Sequence, residues 1–127
     1  MLSINFYNKQ NKDFIEIEVS DEIYEKLAEI GLSRNFKYKG YKVILDEDEE
    51  NIYATELNDM NRKKFKDLIN DELVKFLSSE ILPIIKKLDE NSKENNCVLK
   101  DQSIYLEVLI KTLDCLKDPN NIFFSYE

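Results

Sequence analysis

At 127 residues with a net charge of −8 and a pI near 4.7, the chain is sized for one domain spanning 1–127. Its acidity argues against nucleic acid or an anionic membrane as a direct partner, because both are polyanions. The 43% hydrophobic and 35% charged residues are globular proportions, sufficient for a core without disulfide or metal.

In chain order, Ser3 to Tyr7 and Asp13 to Val19 are short runs rich in β-formers. In the second, Phe14, Ile15, Ile17 and Val19 are interleaved with Glu16 and Glu18, a period-two pattern with one wet face. The polar link from Asn8 to Lys12 predicts a hairpin. Ser20 or Asp21 then caps a helix with Asp21 and Glu22 in its first turn, a buried side of Ile23, Leu27 and Ile30, and a stop at Gly31. Phe36 to Leu45 reads as a strand, with a turn or bulge expected at Gly40. The acidic run Asp46, Glu47, Asp48, Glu49, Glu50 predicts an exposed loop, the tip of a hairpin if Ile52 to Ala54 returns as a strand.

A helix starting between Thr55 and Asn61 carries Phe65, Leu68, Ile69, Leu73, Phe76 and Leu77 at helical spacing. Beyond Ser78 the stripe rotates to Ile81, Ile84, Ile85 and Leu88, and Pro83 predicts a kink or break. Asp89 to Asn96 reads as a polar connector. From Ser103 to Asp118 the polar positions Ser103, Glu107, Lys111, Asp114 and Asp118 fall within an arc of about 80°, which predicts a central helix buried over most of its circumference. Ile122 to Tyr126 reads as a last strand that joins the N-terminal sheet. Strands and one helix, then helices, then a strand give an α+β fold: a small antiparallel sheet packed against two to three helices.

Chemistry is constrained by what is missing. The chain has no histidine, the commonest general base and metal ligand, and only Gly31 and Gly40 as glycines, too few for a phosphate-cradling loop. Cys97 and Cys115 have no zinc-site spacing and read as buried thiols, with their redox state left open. A calcium loop begun at Asp46 fails twice, with Asn51 where the turn glycine belongs and Leu57 where the closing glutamate is required. No cofactor, no metal and no enzymatic activity are expected. The N-terminus lacks a basic segment followed by a long apolar run, so a cytoplasmic location is expected.

Two acidic surfaces stand out as candidates for partner binding. One is Asp46, Glu47, Asp48, Glu49 and Glu50, flanked by Tyr38, Tyr41 and Tyr53, of which Tyr53 is the candidate anchor. The other is Glu22, Glu25 and Glu29 on one helix face, which is equally the ordinary wet side of an amphipathic helix. Residues 1–56 carry thirteen acids and seven bases, while 57–127 carry thirteen and eleven, so the excess is concentrated in the first half. Arg62, Lys63, Lys64 and Lys66, diluted by Asp59 and Asp67, read as a solvated helix face.

Small size, acidity, missing catalytic machinery and the α+β order together resemble the bacterial immunity proteins of contact-dependent and polymorphic toxin systems. The resemblance spans the whole chain and involves no motif, so no site residue is carried over from it. It implies a cytoplasmic toxin inhibitor that occludes the basic active-site cleft of a cognate toxin, such as a nuclease, by protein–protein interaction. An acidic regulatory or adaptor protein that binds a basic partner is the alternative.

Overall fold

A computed structural model of the chain describes residues 2–8, 14–45, 48–81 and 92–127, without the side chains of 80, 81 and 92–101. Its elements run β1 (Ser3–Asn8), β2 (Phe14–Glu18), α1 (Asp21–Ile30), β3 (Lys39–Leu45), β4 (Asp48–Glu56), α2 (Asp59–Phe76), a π-helical turn (Leu77–Ile81), α3 (Ser92–Lys117) and β5 (Asn121–Tyr126). The α+β class is as expected: a five-stranded antiparallel sheet with three α-helices among the described residues.

Strand order is β2-β1-β5-β4-β3, so the last strand occupies the centre. β5 pairs with β1 in the register Ile4↔Tyr126, Asn5↔Ser125, Phe6↔Phe124 and with β4 through Thr55↔Phe124 and Glu56↔Phe123. Strand alternation puts Ile4, Phe6, Ile17 and Phe124 on one face, and all four are buried beneath the helices. Phe124 is the hub of this core. Its ring centroid lies 4.7 Å from Phe65, 5.1 Å from Phe36, 5.8 Å from Tyr38 and 6.4 Å from Phe6.

On the opposite face the sheet is polar yet buried. Asn5 Nδ2 donates to Ser125 Oγ at 3.2 Å, and the Tyr7 hydroxyl lies 3.3 Å from the same oxygen. The β3–β4 hairpin reaches this face, where the Tyr41 ring packs 4.5 Å from Phe123 and Glu50 acts electrostatically on Tyr7.

Helix α1 is bounded as expected. Ser20 Oγ accepts from the Ile23 amide at 3.2 Å, and Gly31 closes the helix at φ 113°, where an added Cβ would stand 1.9 Å from Asn35 Nδ2. Helix α2 begins at Asp59, capped by the Asn58 side chain, and buries Phe65, Ile69 and Phe76. It runs on into the π-helical turn, where the Ser78 and Ser79 hydroxyls donate to the Val74 and Lys75 carbonyls and compete with backbone pairing; the rotated stripe of Ile81, Ile84, Ile85 and Leu88 lies outside the described side chains. Pro83 and the link 9–12 lie outside the described residues.

Five expectations are corrected. The strand expected from Phe36 starts at Lys39; Phe36 is buried in the preceding loop against Phe65 and Phe124. Gly40 makes no bulge, because it sits in unbroken register opposite Tyr53. Asp48, Glu49 and Glu50 are not loop but the start of β4, paired with Leu45, Ile44 and Val43. Their carboxylates reach solvent from a projecting ribbon, so charge does not oppose the strand. Helix α3 begins at Ser92, inside the expected connector, and its wet face is broader than 80° because Ile104 and Ile110 are nearly half exposed. The helix packs by one seam, Tyr105, Val108, Leu109, Thr112 and Leu116, instead of being enclosed.

The fifth correction is Arg62, which is no solvated-face residue. Its guanidinium donates to the carbonyls of Leu116 (2.6 Å), Asp118 (3.1 Å) and Asn121 (2.5 Å), tying α2 to the end of α3 and the start of β5. A fork of fixed donors suits three converging carbonyls that a lysine could not span. Arg62→Ala should therefore cost about 2–3 kcal/mol in urea unfolding, while Lys63→Ala on the exposed side stays within about 0.5 kcal/mol. Phe124→Ala should cost about 3–5 kcal/mol by the same measurement.

Candidate functional site

The β3–β4 hairpin carries most of the expected binding residues, and its pleat sorts them. Gly40↔Tyr53, Lys42↔Asn51 and Ile44↔Glu49 share one face, while Tyr41↔Ile52, Val43↔Glu50 and Leu45↔Asp48 share the other. The second face is the one that meets β5 through Tyr41. The first is outward: Ile44 is 66% and Tyr53 65% exposed, with Lys42 and Glu49 forming a 3.8 Å surface ion pair between them. Such an exposed pair adds little stability.

The expected acidic cluster is thus divided. Glu49 stands with Ile44 and Tyr53, and Asp48 and Glu50 stand on the reverse side. Asp46 and Glu47 lie outside the described residues. Of the three flanking tyrosines, only Tyr53 is exposed. Tyr38 donates to the Leu32 carbonyl at 2.7 Å, and Tyr41 is half-buried on Phe123.

Glu22, Glu25 and Glu29 are exposed on α1, as an amphipathic helix requires. Glu29, however, lines a cleft of about 1090 Å³ between α1, α2 and α3 together with Asp71, Glu72, Lys26, Arg34 and Lys75, so acids and bases balance there. At its floor the Tyr105 hydroxyl donates to Glu72 Oε1 at 2.8 Å, and Lys26 Nζ stands 4.9 Å above the Tyr105 ring. Burial, with the Glu72 contact second, pushes the Tyr105 phenol well above its usual range, so it remains a neutral donor. The periodicity counted Tyr105 among apolar residues; a buried tyrosine needs a hydroxyl partner, but sequence spacing does not identify Glu72, thirty-three positions away.

A smaller groove of about 320 Å³ gathers Lys37, Lys39 and Lys64 beside Glu56. It is the reverse of the protein's overall charge. Cys115 is a half-buried free thiol whose pKa burial raises, which makes it a poor nucleophile, and the side chain of Cys97 lies outside those described. Among the described residues no group of three or more His, Cys, Asp or Glu side chains is placed to hold a metal ion, and no helix is long and apolar enough to cross a membrane.

Burial also raises the phenols of Tyr7, Tyr38 and Tyr126. Above pH 10.0, the ordinary tyrosine value, the unfolded chain releases these protons while the folded chain retains them. The folded state then binds more protons, so stability must fall as pH rises beyond that point. Absorbance titration of the phenolates should show these four ionising together with unfolding, tracked by circular dichroism; independent ionisation of all seven tyrosines near their ordinary value would contradict it.

No known family model matches this chain, and no curated protein or solved structure matches it either.

Proposed function

We propose that the protein is an immunity-type inhibitor that binds a basic protein toxin, such as a nuclease, through the outward face of the β3–β4 hairpin, and that it makes and breaks no bonds itself. The observation that carries this reading is the placement of Ile44 and Tyr53, each about two-thirds exposed, on one face of a ribbon that also bears Glu49. An isolated exposed apolar residue is ordinary, but an aliphatic and an aromatic anchor on one projecting ribbon have the composition of a binding hot spot. The carboxylates of Asp48, Glu49 and Glu50, with Glu22 and Glu25 on α1, supply the field that draws a cationic surface in.

Occlusion follows from the same chemistry. A nuclease cleft is built to receive phosphates, and a ribbon bearing carboxylates competes as a polyanion while Tyr53 and Ile44 exclude water.

The two contributions separate kinetically. Tyr53→Ala or Ile44→Asp should weaken binding to the product of the neighbouring reading frame about tenfold or more, mainly through faster dissociation. The triple change Asp48→Asn, Glu49→Gln, Glu50→Gln should slow association several-fold and flatten its salt dependence, by roughly the margin that surface steering provides. Surface plasmon resonance at several ionic strengths reads both, and co-expression with that product reads protection of growth. If the neighbouring product is harmless, or the hairpin variants protect as fully as the unaltered chain, the inhibitor reading fails. A harmless basic partner captured through the hairpin would point to an adaptor instead.

A further inference from the structure

At the opposite end of the sheet, β2 pairs with β1 along one side only, and no described strand lies on its outer side. The strand is short and exposed apart from Ile17. Beside it runs a groove of about 650 Å³ against α3, floored by Ile15, Ile17, Ile104 and Val108. Ile15 and Ile104 are 45% and 47% exposed, so this floor is not sealed. An unpaired edge offers a row of amide and carbonyl groups to another strand, and a neighbouring groove gives the added strand somewhere to place alternate side chains.

Charge at the rim selects the occupant. Glu16 and Glu18 project from the other face of β2, and Glu107 and Asp114 border the groove on α3. The one base among them, Lys111, is bound to Glu107 at 3.0 Å. A second copy of β2 would set glutamates against glutamates, which is unfavourable for directly opposed residues. A strand bearing lysine or arginine meets the opposite situation. The other sheet edge differs, since β3 bears Lys39 and Lys42.

We propose that the β2 edge is a second docking site, which takes an extended segment of a partner protein whose side chains alternate between apolar and basic. Its apolar side chains enter the groove over Ile15 and Ile104, its basic ones lie beside Glu16 and Glu18, and its backbone extends the ladder beyond β2. This site stands on the β2–α3 geometry alone and does not rest on the hairpin reading.

The test uses the full chain and a fluorescein-labelled peptide of about nine residues, the length of a strand, that alternates lysine and valine. Fluorescence anisotropy should report saturable binding, and amide hydrogen exchange should slow across residues 14–18 when the peptide is added. Ile104→Asp and the pair Glu16→Lys, Glu18→Lys change exposed side chains, so both variants should keep the circular dichroism of the parent; each should weaken binding by about tenfold or more. A peptide with proline at its centre should lose binding, because it cannot complete the ladder, and Tyr53→Ala should bind the original peptide unchanged. Equal binding of the proline peptide would overturn the proposal, since charge attraction alone would then account for it. So would protection confined to residues 39–56, or a concentration-dependent dimer that buries β2 and excludes the peptide.

Discussion

Six residues near the C-terminus hold the two halves of the sheet together. β1–β2 and β3–β4 are local hairpins, each able to pair within its own stretch of chain, and among the described residues β5 is the strand that joins them. Bringing Tyr126 beside Ile4 closes nearly the whole chain into a loop, and that ordering cost must be offset by contacts formed at the junction. Phe124 contributes by meeting four aromatic rings from β1, α2 and the segment leading into β3. Arg62 contributes by gathering three carbonyls where α3 turns into β5, that of Asp118 also accepting from the Asn121 amide at 3.2 Å.

The polar face of the sheet makes that junction specific as well as stable. Asn5 and Ser125 are register partners and also side-chain partners, so a slip of one residue would break the bond and turn either Phe6 or Phe124 away from the core. Tyr7 adds its hydroxyl to the same oxygen, and the hairpin brings Glu50 close enough to raise the Tyr7 phenol further. Polar groups at a buried position are costly unless paired; the native register pairs Asn5 Nδ2 with Ser125, while Asn5 Oδ1 has no partner among the described residues.

A net charge of −8 does not produce one acidic surface. Pleating separates Glu49 from Asp48 and Glu50, the α1–α2 cleft mixes Glu29 with bases, and Glu16 and Glu18 line a free strand edge. Each acidic group acquires a different apolar neighbour: Tyr53 and Ile44 at the hairpin, Ile15 and Ile104 at the β2 edge. In protein association generally, charge steers encounter over distance, while apolar contacts govern dissociation.

The sequence alone determined the local elements, because their signals are local. Alternation in Phe14–Glu18, the Ser20 cap and Gly31 stop of α1 and the apolar stripe of α2 are each legible within a few turns of chain. The α+β class follows from their order. Only the tertiary structure decided that β5 lies at the centre, that Arg62 is a tie, that Tyr105 meets Glu72, and that the acidic run becomes a pleated strand with two different faces. Those outcomes depend on which distant groups arrive beside a residue. Periodicity records how a segment alternates or turns, and carries no information about what comes to rest against it.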